Sequence, residues 1–130
     1  MTSNLDLIRA TYEGSPQDNS RHLLATLAPD VRWTEAAGFP YAGTYVGAAQ
    51  IMAGVFQRLG REWEDFAAQV HSYMADGDKV AAFGTYSGTY RKTGRRMTAG
   101  FSHLYELKDG LIIRMDQVVD SHLVQQAMKD

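Results

Sequence analysis

The chain has 130 residues, of which 45% are hydrophobic, and its 13 Lys and Arg against 15 Asp and Glu give a formal net charge of -2 at pH 7. That length suits one domain that buries about two-thirds of its unfolded surface without a disulfide or a metal, and the near-balanced charge argues against nucleic-acid or acidic-membrane partners. The chain has no Cys, which excludes disulfides, thiolate metal sites and a cysteine nucleophile together and fits a reducing compartment. The opening stretch MTSNLDLIRATYEG carries a single Arg and no long apolar run, so no secretory leader is expected. No apolar stretch approaches the roughly 18 residues that span a bilayer, and the expectation is a soluble, cytoplasmic protein.

Leu5, Ile8 and Tyr12 recur at helical spacing behind Ser3 or Asn4, predicting a helix from Asn4 to Glu13 that Gly14-Ser-Pro16 ends. Leu23, Leu24 and Leu27 predict a second short helix over Ser20–Leu27, with Pro29 as its stop signal. In Val31-Arg-Trp-Thr-Glu35 the apolar residues alternate as in a half-buried strand. The same alternation sends Glu35 to the face of Val31 and Trp33. Phe39-Pro-Tyr-Ala-Gly43 is turn-rich, and Gly38 to Tyr41 is a candidate lid. Beyond Gly47, Ile51, Val55, Phe56 and Leu59 share one side of a third helix ending at Gly60.

Asp76-Gly77, Thr93-Gly94 and Asp109-Gly110 divide the rest into an antiparallel meander over Glu64–Ala75, Lys79–Arg91, Arg96–Lys108 and Leu111–Val119. These strands exceed the usual five or six residues and predict a strongly curved sheet. Gly84, Gly88 and Gly100 fall inside strand patterns, where Gly marks a bulge, a bend or a close approach. A helix over Ser121–Met128, capped by Asp120, closes the chain. With the helices preceding most of the strands, the fold class is α+β.

Alternation also selects inward side chains. His103 falls with Phe101 and Tyr105, and Gln117 with Ile113, Met115 and Val119. Ala82, Gly84, Tyr86 and Gly88 share a face on which small residues flank one phenol, predicting a cavity. Asp116 and Asp120 fall opposite Gln117.

The order of elements resembles the nuclear-transport-factor-2-like fold. APDVRWTE, PYAGTYVG, DGDKVAAFGTYSGTY and FSHLYELKDGLIIRMDQVVD are similar to landmarks of its SnoaL-like branch, related to polyketide cyclases, ketosteroid isomerases and limonene epoxide hydrolases. The resemblance runs from about Leu5 to Met128. It implies a cone in which a curved, antiparallel or mixed sheet wraps about three helices around a largely apolar pocket, commonly in a homodimer. One fold of this kind supports several chemistries, so the reaction must be argued from the site.

By that resemblance Glu35 falls where the isomerases carry their general base. Its alternative readings are a strand end turned to solvent or a partner for an Arg. A carboxylate beside the apolar wall of Trp33 would have its pKa raised, making it a better base near neutrality. His103 falls at the cyclases' pocket histidine; the other reading is a satisfied core imidazole. Gln117 occupies the position of the cyclases' and hydrolases' catalytic aspartate, where an amide can orient a ligand oxygen but cannot exchange a proton. The hydrolases' Arg–Asp pair would fall on Gly84 and Tyr86 and is missing. The isomerases' phenol on the first helix falls at Thr11 in an ungapped count, beside Tyr12, and is not carried over. Tyr86 is the stronger phenol candidate, with a core aromatic as its other reading.

His22, His71, His103 and His122 lack the close spacing of a metal site. The Arg91-Lys92-Thr-Gly-Arg95-Arg96 hairpin tip reads as a solvated turn, and no glycine run ends in the G-K-[ST] of a phosphate loop. The expectation is therefore a cofactor-independent, enzyme-like domain binding a small, mostly apolar carbonyl or hydroxyl compound. Glu35 and His103 are its acid/base candidates; Trp33, Tyr86, Phe101, Met115 and Gln117 are its ligand-binding candidates. A non-catalytic ligand-binding or dimeric accessory domain is the rival reading.

Overall fold

A computed structural model describes residues 2–130. Helix α1 (Asn4–Arg9) starts at Ser3, whose hydroxyl accepts the Asp6 N–H. It ends four residues before the expected Glu13, because the amides of Thr11 and Tyr12 bond three residues back, to Ile8 and Arg9, and so tighten the last turn. The Ser15-Pro16 pair, expected only as a terminator, instead opens α2 (Pro16–Thr26). Ser15 accepts the Asp18 N–H, and Pro16 takes the first helical position, where its missing N–H costs nothing.

Strand β1 (Leu27–Glu35) begins four residues earlier than Val31 and accommodates Pro29, because its ladder to the last strand is interrupted between Leu27 and Arg32. A short strand that the sequence did not announce, β2 (Gly43–Val46), pairs antiparallel with the end of β1. The third helical segment runs as α3 (Gly47–Ile51), a π-helical turn (Met52–Phe56) and α4 (Gln57–Glu62). It continues through Gly60 and ends where Trp63 turns extended.

The meander follows as β3 (Trp63–Asp76), β4 (Lys79–Tyr90), β5 (Arg96–Lys108) and β6 (Leu111–Val119), and α5 (Ser121–Met128) is capped by Asp120 accepting the Leu123 N–H. The sheet order is β2-β1-β6-β5-β4-β3. Only β1 and β6 run parallel, so the sheet is mixed, curved and unclosed. Bulges after Glu64 and after Val70 bend β3 over the helices. A further irregularity between Glu106 and Leu107 moves the inward position on β6 from the expected Ile113 to Ile112, which is fully buried.

Two apolar clusters fill the cone. One gathers Ile8, Val31, Trp33, Ile51, Tyr105 and Met115; the other gathers Phe39, Tyr41, Val55, Trp63, Tyr86 and Phe101. Gly84 allows the second bulge to form. A Cβ there would lie 2.1 Å from the Gln69 carbonyl oxygen, whereas one on Gly100 would meet nothing within 4 Å. Gly84→Ala is therefore expected to cost about 2 kcal/mol or more in urea unfolding, and Gly100→Ala to stay within about 0.5 kcal/mol of the parent.

Candidate functional site

Glu35 ends β1 facing inward, on the side that alternation assigns it, and only 5% of its surface is exposed. The next residue fixes a neighbour: the Ala36 N–H donates to Gln117 Oε1 at 2.9 Å. That bond orients the amide, so Gln117 Nε2 donates to the Tyr86 hydroxyl at 2.8 Å. The Tyr86 oxygen lies 2.5 Å from His103 Nε2, and His103 Nδ1 lies 2.5 Å from the hydroxyl of Tyr12. Tyr12 in turn hydrogen-bonds the hydroxyl of Tyr105.

Strand register builds this row. His103 pairs with Gln117 across β5 and β6 and with Ala82 across β4 and β5, and the small Ala82 leaves the imidazole room. Tyr105, two residues along β5, keeps the same inward face.

Beside the row lies a cavity of about 580 Å³, between the two apolar clusters. Trp33, Phe39, Phe56, Trp63 and Phe66 wall it, and Pro16, Asn19, Asp65 and Arg91 stand on its more exposed side. Among the described residues five polar ones besides the tyrosines are buried, and four of them, Thr11, Glu35, His103 and Gln117, line this one space. A core built only for stability keeps such groups out or pairs them fully. Here Glu35 Oε2 and Trp33 Nε1 are buried without a hydrogen-bond partner.

Burial sets the protonation states. Removal from water raises the Glu35 carboxyl to about 8, opposed by the Trp33 indole N–H, which lies near enough to favour the ionised form although it makes no hydrogen bond of normal geometry. Burial likewise pushes His103 down to about 3, so the imidazole is neutral near pH 7. The phenols of Tyr12, Tyr86 and Tyr105 are all raised by burial and stay protonated. The site thus holds a neutral imidazole, three phenolic donors and a carboxyl able to change state near neutrality.

Several expectations need correction. Phe101 and Met115 do not line the cavity. Phe101 stacks behind Tyr86 at 4.2 Å, and Met115 pairs with Trp33 across β1 and β6 inside the first cluster. Both support walls rather than form them. The candidate lid is fastened: Phe39 and Tyr41 are buried, Tyr41 bonds Glu62 and Trp63, and Gln125 Nε2 donates to the Gly38 carbonyl at 2.8 Å.

Tyr12 is the side chain of this site that counting missed. The tightened turn after Arg9 advances the chain by fewer residues per turn than an α-helix, bringing Tyr12 rather than Thr11 to His103. Thr11 instead donates its hydroxyl to the Ile8 carbonyl. The only sequence signal was Tyr12's place on the apolar side of that helix. Asp116 lies outside the cavity, paired with Arg114 at 2.8 Å. Among the described residues no group of three His, Asp or Glu is placed to hold a metal.

Because folding raises the Glu35 pKa above its ordinary value, the protonated carboxyl favours the folded state. That contribution is full below about pH 4.5 and is lost as pH rises through about 8. Glu35→Gln cannot titrate, so relative to it the parent should lose a few kcal/mol between pH 5 and pH 9. Denaturant unfolding of both proteins at the two pH values checks this.

A family model described as a SnoaL-like domain matches residues 8–115. No curated protein matches the chain. Among solved structures, an NTF2-like protein from Burkholderia thailandensis is 37% identical over 100% of both chains, with a TM-score of 0.95. TerC, co-crystallised with polyporic acid, is 25% identical over 98% of each chain, with a TM-score of 0.85. A protein with a ketosteroid isomerase-like fold from Catenulispora acidiphila, in complex with trimethylamine, is 18% identical over 100% of this chain and 96% of its own, at a TM-score of 0.76, a likeness of fold alone. The family match over most of the chain, with the site resting on the same curved sheet, places this protein in the SnoaL-like domain family, with the NTF2-like fold.

Proposed function

We propose that this protein binds a small, mostly apolar compound carrying a carbonyl or hydroxyl group and moves a proton on it, with Glu35 as the acid/base group. The carrying observation is the Glu35 Oε2 atom, buried at an aromatic-walled cavity with no hydrogen bond of normal geometry and only the Trp33 indole near it. An unpaired buried carboxyl costs stability and has no packing rationale. Its raised pKa fits a group that takes and returns a proton near neutrality. The neighbouring phenols are suited to stabilise negative charge developing on a substrate oxygen. His103 remains neutral and holds the phenols in place. The co-crystallisation of TerC with polyporic acid supports a small organic ligand for this cavity. No cofactor enters this scheme.

One observation favours the rival reading, a binding domain without turnover. Gln117 stands where related cyclases carry their aspartate, and its amide is occupied at both ends by the Ala36 N–H and the Tyr86 hydroxyl. The two readings separate in an exchange experiment. With 2-tetralone, an apolar ketone, in deuterated buffer, the protein should accelerate loss of the α-hydrogens, with the rate rising from pH 6 to about 8 as Glu35 ionises. Glu35→Gln should reduce the acceleration by about 100-fold or more while 2-tetralone still binds. Binding without acceleration in the parent protein would leave the binding domain as the function.

We also propose that a second copy of the chain covers the outer sheet face, as the family resemblance implies. Phe83, Leu104 and Val118 are 37%, 44% and 65% exposed there. Register places Phe83 and Val118 on either side of Ser102, with Leu104 in the next outward row. Leu104→Glu is expected to convert a dimer to a monomer in light scattering while leaving the fold intact; an unchanged mass would remove this face as the interface.

A further inference from the structure

The row Tyr86–His103–Tyr12–Tyr105 has one hydrogen more than its internal contacts can use. Three phenolic hydrogens and one imidazole hydrogen serve three contacts: Tyr86 with His103, His103 with Tyr12, and Tyr12 with Tyr105. Tyr86 cannot give its hydrogen to Gln117. The Ala36 N–H holds Gln117 Oε1, which turns the amide N–H₂ toward the phenol. The surplus hydrogen therefore emerges at one end or the other, and the imidazole tautomer decides which. With hydrogen on Nδ1, Tyr86 donates to Nε2, His103 donates to Tyr12, Tyr12 donates to Tyr105, and the Tyr105 hydroxyl is left over. With hydrogen on Nε2, every donor reverses and the Tyr86 hydroxyl is left over. Both end residues line the same cavity.

We propose that this row is a neutral proton relay joining two points of the cavity, and that its substrate is a conjugated hydroxy-carbonyl compound spanning them. In one passage the Tyr105 O–H breaks and its proton forms an O–H bond on the carbonyl oxygen. Tyr12 reprotonates Tyr105, His103 Nδ1 reprotonates Tyr12, and Tyr86 protonates His103 Nε2. The substrate hydroxyl then restores the Tyr86 hydrogen. One oxygen of the compound gains a proton and the other loses one, as the conjugated double bonds shift, with no redox change and no net charge on the protein. Tyr12 and Gln117 are positioning residues in this scheme, Tyr12 as the link and Gln117 as the stop that keeps hydrogen from leaving at the Tyr86 end.

The relay extends the acid/base reading, but its test needs no substrate, so it can fail while Glu35 remains a base at carbon. Side-chain ¹⁵N NMR of His103, assigned by its loss in His103→Gln, reads the tautomer directly at pH 7. In Tyr105→Phe the Tyr12 hydroxyl keeps only His103 as acceptor, so the imidazole should carry its hydrogen on Nε2. In Tyr86→Phe that nitrogen loses its partner, so the hydrogen should sit on Nδ1, bonded to Tyr12. Opposite tautomers in the two variants are the expected result, because a relay requires that both hydrogen arrangements of the row be accessible to the same imidazole. The same tautomer in both, or an imidazolium in either, overturns the relay. If Tyr86→Phe does not fold, Tyr105→Phe carries the test alone, and hydrogen found on its Nδ1 overturns the proposal.

Discussion

The bond from the Ala36 N–H to Gln117 Oε1 ties the end of β1 to the last third of β6, and the site depends on it. It sits where the one parallel pairing of the sheet runs out, just beyond Thr34 and Asp116. On one side it leaves Glu35 as the last inward residue of β1, next to the cavity and without a backbone or side-chain partner for Oε2. On the other side it fixes the Gln117 amide and, through Tyr86, the hydrogen bonds that reach His103, Tyr12 and Tyr105. Because both amide ends are satisfied, burying Gln117 is inexpensive. Burying Glu35 is not, and the difference marks which of the two is free to act on a ligand.

Burial and pairing divide the labour among the polar groups. His103 is pushed so far down by burial that its charge is unavailable near neutrality. It serves as a connector with one donor and one acceptor, the property that makes neutral imidazole useful inside a network. The phenols, raised in pKa, are donors only. Glu35 alone has a pKa, at about 8, that lets both protonation states be populated near neutral pH. An amide at position 117 fits the same division. A carboxylate at 117 could accept the Tyr86 hydrogen, whereas an amide held by Ala36 can only donate there.

Much of this was legible in period-two alternation, because β5 obeys it without interruption. Met97, Ala99, Phe101, His103, Tyr105 and Leu107 are all buried, so His103 was placed correctly from neighbours alone. Glu35 was legible for the same reason on β1. Alternation failed at Ile113, where an irregular register adds a residue to the count. Pattern also cannot separate a side chain that touches a cavity from one behind it, so it points to Phe101 and Met115 as walls, although Phe101 stacks on Tyr86 and Met115 packs within the first cluster. Tyr12 was missed because its position depends on how tightly the last turn of α1 winds, a local hydrogen-bonding choice that spacing does not encode. Ser15-Pro16 carried both a stop and a start signal, and the free N-cap position behind Pro16 decided for the start.

Glu35 is thus a buried carboxyl held near neutrality by desolvation, with no neighbour but the Trp33 indole to favour its ionised form. A ¹³C NMR titration of its side-chain carboxyl, with the resonance assigned by its loss in Glu35→Gln, reads this protonation state. A midpoint near 8 is expected in the unliganded protein. A midpoint near 4.5, the ordinary value for glutamate, would contradict it, because the carboxylate would then be solvated or paired and the cavity would have no acid/base group.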